Sequence, residues 1–213
     1  WLFPMAWADP ADEFGAALER MQAAVAATRD ATFDLHQQEY VGGRLRDEVL
    51  MHVWYRPKNR VYVEWDDGQR MLWLPGENDD RMRVDPGAFL PTLSLSPENG
   101  LATRGQRHTV RRMGLAPVAA LFAADTARVL ADPERLRPEV TRVGPDTLYG
   151  RPAECFDAIT RKDLEPALYG VRVEVCLDAE RWLPLRMRTW ELEDGEVRMV
   201  ESYGYENLQV NVG

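Results

Sequence analysis

Residues 104–112, Arg104-Gly-Gln-Arg107-His108-Thr-Val-Arg111-Arg112, gather four arginines and a histidine in a chain whose net charge is −9. Guanidinium forks match the paired oxygens of a carboxylate or phosphate, and a helix beginning just downstream adds partial positive charge. Arg104, Arg107, His108, Arg111 and Arg112 are therefore predicted to meet an anionic head group or an acidic partner. The competing expectation is a charged loop that pairs with nearby acids. Catalytic chemistry is poorly represented. Ser94, Ser96 and Ser202 stand outside any Gly-x-Ser-x-Gly context, and a trio of Ser94, His108 and an aspartate would have to be assembled by the fold. His36, His52 and His108 lack His-x-x-x-His spacing, and Asp34 with His36 supplies just two ligands on one strand face. Neither metal nor other cofactor is expected, nor an enzyme, with a hydrolase as the minor alternative.

The chain has two cysteines, Cys155 and Cys176, on strand-like segments either side of a loop centred near Glu165-Pro166. Residues equidistant from that centre face each other in the simplest register. Cys155 then opposes Cys176, Phe156 opposes Val175 and Ala158 opposes Val173. A bridge there would contribute about 3 kcal/mol through the unfolded chain. In a reducing compartment the pair would stay as thiols. Mid-strand positions suit a structural bridge better than a redox couple, whose reactive thiolate is usually stabilised at a helix start.

Period-two apolar patterning supplies the elements. Val49, Met51, Val53 and Tyr55 alternate along one strand, and Val61, Val63 and Trp65 along the next. Trp73, Phe156, Val175 and Met187 extend the same surface. Such a face forms either a filled core under helices or an open concavity that accepts an acyl chain. Gly42-Gly43, Asp67-Gly68 and Asp194-Gly195 mark hairpin turns. The last of these predicts a register pairing Glu191 with Arg198 and Arg188 with Glu201, as ion pairs on a sheet face. Asp9-Pro10 reads as a helix cap, followed by the stripe Phe14, Leu18, Met21 and Val25 and an end near Thr28. A second helical stripe, Leu115, Val118, Phe122 and Val129, lies between Gly114 and Asp132-Pro133. The expected fold is α+β: a curved antiparallel sheet of about ten strands covered by an N-terminal helix and a central helical segment.

The acidic balance argues against a nucleic-acid partner, and no apolar run is long enough to span a membrane. Trp1–Ala8 is apolar and ends in Ala-x-Ala, as the tail of a secretory signal does; the alternative is an apolar arm. Residues 9–213 are expected to form a single exported domain.

The C-terminal order is Gly150-Arg-Pro-Ala-Glu-Cys155, then Val171–Asp178, then Leu183-Pro-Leu-Arg186, then Glu201-Ser-Tyr203-Gly-Tyr205. It resembles the bacterial lipoprotein-carrier (LolA-like) superfamily, nearest a branch of unknown function. The resemblance implies that the sheet is an unclosed β-barrel and that the protein is a periplasmic, non-enzymatic binding or carrier protein. It would hold the acyl chain of a lipid or lipoprotein against the face that runs from Val49 to Met187. An envelope sensor that docks on a membrane-anchored protein is the alternative on the same fold.

Overall fold

The computed structural model describes residues 9–87 and 90–213. Trp1–Ala8, expected as a leader remnant or arm, lies outside them. Helix α1 (Pro10–Ala26) begins as its cap predicts: the Asp9 carboxylate accepts the Ala11 amide at 2.9 Å, and Asp12 and Glu13 face the positive end of the helix. Phe14, Leu18, Met21 and Val25 form its buried stripe.

Thirteen strands among the described residues make one antiparallel sheet. The first half supplies β1 (Ala31–Val41), β2 (Arg44–Leu45), β3 (Val49–Arg56), β4 (Arg60–Trp65), β5 (Arg70–Trp73), β6 (Met82–Asp85) and β7 (Leu93–Leu95). Helices α2 (Leu115–Ala131) and α3 (Pro133–Leu136) come next. The second half supplies β8 (Glu139–Val143), β9 (Thr147–Leu148), β10 (Arg151–Ile159), β11 (Arg172–Asp178), β12 (Pro184–Glu193) and β13 (Glu196–Val210). The order is β7-β6-β5-β4-β3-β1-β13-β12-β11-β10-β8, with β2 beside β1 and β9 beside β10. Strands β7 and β8 stand at opposite ends, so the barrel stays open. The short strands β2, β7 and β9 raise the number above the ten or so that the patterning predicts.

Side-chain alternation divides the sheet into two faces. The concave face carries the main core, in which Met51, Val53, Tyr55, Val61 and Val63 pack with the buried stripes of α1 and α2. Cys155 and Cys176 face the other way, in a small second cluster with Ala153 and Leu185. They are directly opposed and joined by a disulfide, and Phe156↔Val175 and Ala158↔Val173 pair as the loop-centre register predicts.

The last hairpin departs from expectation. Glu191 opposes Arg198 as predicted, but the register shifts between Thr189 and Trp190, so Arg188 opposes Ser202 and Glu201 opposes Thr189. One extra residue, Val200, enters β13 at this point. Beyond such a bulge every side chain changes face. Glu201, expected in a sheet-face ion pair with Arg188, instead turns inward and is 2% exposed. Arg188 approaches Glu174, Arg198 binds Glu196, and Glu191 binds Lys162.

Helix α2 enters through Gly114, whose φ of +101° favours glycine and whose Cβ, if present, would lie 2.6 Å from the Tyr55 ring. Gly114 therefore lets the helix start pass directly over the core.

Candidate functional site

The inward turn of β13 sets Glu201 directly across from Glu39 of β1, and both are buried. Like charges at opposed positions repel, and buried carboxylates need partners. Residues 107 and 108 provide several of them. The Arg107 amide donates to Glu39 Oε2 at 2.6 Å, while its guanidinium Nε donates to Glu201 Oε1 at 3.2 Å. His108 Nε2 lies 2.6 Å from the same Glu201 oxygen, an orientation that puts the ring proton on Nε2. The Tyr169 hydroxyl donates to Glu201 and the Tyr203 hydroxyl to Glu39. Burial by itself would push the Glu201 carboxyl up. The hydrogen bonds from His108 and Tyr169, with the positive charges of His108 and Arg107, outweigh it and hold the carboxyl below its ordinary range. Burial raises the hydroxyls of Tyr169 and Tyr203, and the neighbouring glutamates raise them further. Both tyrosines stay neutral donors.

This network closes one end of a cavity of about 420 Å³ between α2 and the concave face. Leu35 of β1, Met187 of β12 and Tyr205 of β13 form its floor; Val118, Leu121 and Ala124 of α2 form its roof. Gln106, His108 and Arg112 line one end. Asp125 and Arg128, paired at 3.3 Å, also line the cavity. Burial raises the Asp125 carboxyl, against the Tyr169 amide that donates to it. A second cavity of about 340 Å³ runs between α1 and α2, walled by Phe14, Leu18, Phe122, Val129 and Leu136, and it also reaches Asp125. The result is an apolar trough with polar groups at its margins.

The residues expected to bind an acyl chain divide sharply. Met187 lines the trough, whereas Met51, Val53, Tyr55, Val61, Val63, Trp73, Phe156 and Val175 are buried in the packed core, with Trp65 against it. Val49 is 43% exposed near the start of β3. The arginine loop divides too. Arg107 and His108 serve the buried glutamates, and Arg111 pairs with Asp80 and Glu98 while lying over Trp73. Arg104 is exposed, and Arg112 borders the trough. Ser94 accepts from Asn78 and Arg81 on the edge of the sheet, away from the Glu201 that holds His108. Asp34 meets His52, and His36 sits between Glu48 and Glu206. Among the described residues no cluster has metal-holding geometry.

Glu39, Glu201, Tyr169 and Tyr203 were missed from sequence because the bulge that turns Glu201 inward leaves no local signature. The trough-facing row Pro117, Leu121, Ala124 and Arg128 was readable as a second stripe beside the core stripe of α2.

A family described as a protein of unknown function, DUF1571, matches residues 28–213. No curated protein matches the chain in sequence. Among solved structures, MucB is 15% identical over 95% of this chain and 60% of its own, with a TM-score of 0.55, so the chain spans less than two thirds of that protein. The lipoprotein LppX of Mycobacterium tuberculosis is 10% identical over 95% of this chain and 99% of its own, with a TM-score of 0.50. At such identities the likeness concerns the fold, and that fold is the LolA-like one predicted from the C-terminal strand order.

Proposed function

We propose, for a chain that belongs to the DUF1571 family of proteins of unknown function, a non-enzymatic binding or carrier role. An acyl chain of a lipid or lipoprotein lies in the trough under α2, with its polar head toward residues 106–112. The observation that carries this is the trough: about 420 Å³, floored by Leu35, Met187 and Tyr205 and roofed by Val118, Leu121 and Ala124, with polar side chains at its margins. That volume is near the lower limit of roughly 300–1,000 Å³ usual for small-molecule sites. The LolA-like fold supports the same role. The acid–base groups nearest the trough, Glu39, Glu201 and His108, are occupied with one another and with Arg107, which favours a structural duty for them over catalysis. The Cys155–Cys176 bridge supports an oxidising compartment, in keeping with a periplasmic setting for the proposed role. No helix of the described residues is long and apolar enough to cross a membrane.

Native mass spectrometry of gently purified protein, followed by organic extraction, tests the proposal. A stoichiometric acyl lipid or lipopeptide is expected. An apo mass unmoved by added phospholipid or lipopeptide would overturn the carrier role and leave an interaction module on the same scaffold.

A further inference from the structure

Arg112 stands at an electrostatically unfavourable place. It lies just before α2, whose amino end is positive by the helix dipole. The cap position is Gly114, which offers no side chain, and the first turn of α2 contains no acid. Its neighbour Arg111 has Asp80 and Glu98 as counter-ions. Among the described residues no carboxylate pairs with Arg112; its side chain makes one long contact, Nη1 to His108 Nδ1 at 3.4 Å. The nearby glutamates cannot readily serve it, since Glu201 is taken by Arg107, His108 and Tyr169, and Glu39 by Tyr203 and the Arg107 amide. A guanidinium, a helix amino end without a side-chain cap and the lining of an apolar trough thus converge.

We propose that Arg112 receives the anionic head, carboxylate or phosphate, of a single-chain amphiphile whose chain lies between α2 and the concave face. This rests on the acyl-binding role above and narrows it. The head completes the Arg112 fork and offsets the positive end of α2. The modest volume of the trough, about 420 Å³, favours one chain over the several of a triacylated lipoprotein.

Calorimetric titration of the full chain with four monomeric probes tests the inference: dodecanoate, dodecyl phosphate, dodecanol and dodecyltrimethylammonium. At least one anion is expected to bind about tenfold or more tightly than the alcohol, equivalent to ~1.4 kcal/mol, and the cation most weakly. The tighter anion identifies the head as carboxylate or phosphate. Arg112→Gln is expected to erase the preference, so that the anions bind no more tightly than dodecanol. Arg104→Gln, in the same loop but away from the trough, should keep the preference. Equal loss in both variants would reduce the effect to general charge and overturn the inference. Equal binding of alcohol and anions, abolished by filling the trough with Ala124→Trp, would overturn the head assignment while the acyl-binding role stood. Absence of binding by any probe would remove both.

Discussion

Glu201 and Glu39 face each other across β1 and β13, each buried, and Arg107, His108, Tyr169 and Tyr203 supply their hydrogen bonds. Replacing Glu201 by Gln leaves the Arg107 and His108 contacts without their charge partner. A loss of about 1–3 kcal/mol in unfolding free energy is expected at neutral pH. The pH dependence has a definite sign. A carboxyl held below its ordinary range stabilises the folded state above that range, about pH 4.3 for glutamate, and loses the contribution as pH falls through its folded value. The gap between wild type and Glu201→Gln should therefore narrow on acidification, measured by urea unfolding at pH 7 and at successively lower pH. A gap that stays constant into strong acid would show that charge is not what Glu201 contributes. His36 behaves in the opposite sense. Burial lowers it, but hydrogen bonds to Glu48 and Glu206 more than compensate and raise it, so its contribution is lost as pH rises rather than as it falls.

The β10–β11 hairpin, whose loop brings Ala167 and Tyr169 to the trough, and helix α2, which roofs it, are built by different means. The β10–β11 hairpin is tied by Cys155–Cys176 on the convex face, with the apolar Phe156, Ala158, Val173 and Val175 directed to the other. Closing the loop of sequence separation 21 restricts the unfolded chain, so the double variant Cys155→Ser with Cys176→Ser is expected to lose about 3 kcal/mol. The denaturant midpoint should fall accordingly, and an unchanged midpoint would mean the bridge adds nothing to stability. Helix α2 carries two stripes instead of one. Leu115, Val118 and Phe122 are buried in the core, while Leu121 and Ala124 face open space. The alanines are why space remains: with bulkier side chains there, the helix would fill the cavity it covers.

At the scale of the molecule, an open sheet and a roof helix leave a volume that the core does not occupy. Ala124→Trp places an indole in that volume from an exposed helix position. Stability should change by less than ~0.5 kcal/mol, as is usual for surface positions. Acyl-ligand occupancy, measured by native mass spectrometry, should drop by tenfold or more. Undiminished occupancy would move the ligand out of this trough, with the groove between α1 and α2 as the next place to look.

Local chemistry made much of the architecture legible from the chain itself. Asp9-Pro10 starts α1, the Gly42-Gly43 and Asp194-Gly195 turns set their hairpins, and symmetry about the 159–172 loop aligns the cysteines. These depend on residues close in sequence, whose backbone preferences act before distant parts meet. The position of the site depended on longer-range events. Period two says which residues share a face, but it does not say whether a helix will fill that face, so the run from Met51 to Val175 became core. A single inserted residue, Val200, inverts the face of the β13 residues beyond it and sends Glu201 inward. There Glu201 draws Arg107 and His108 from the surface role their charge implied. Which arginine is left for a ligand was decided by the contacts of the folded state, because a charge becomes available to a partner only after the fold has assigned its other acids.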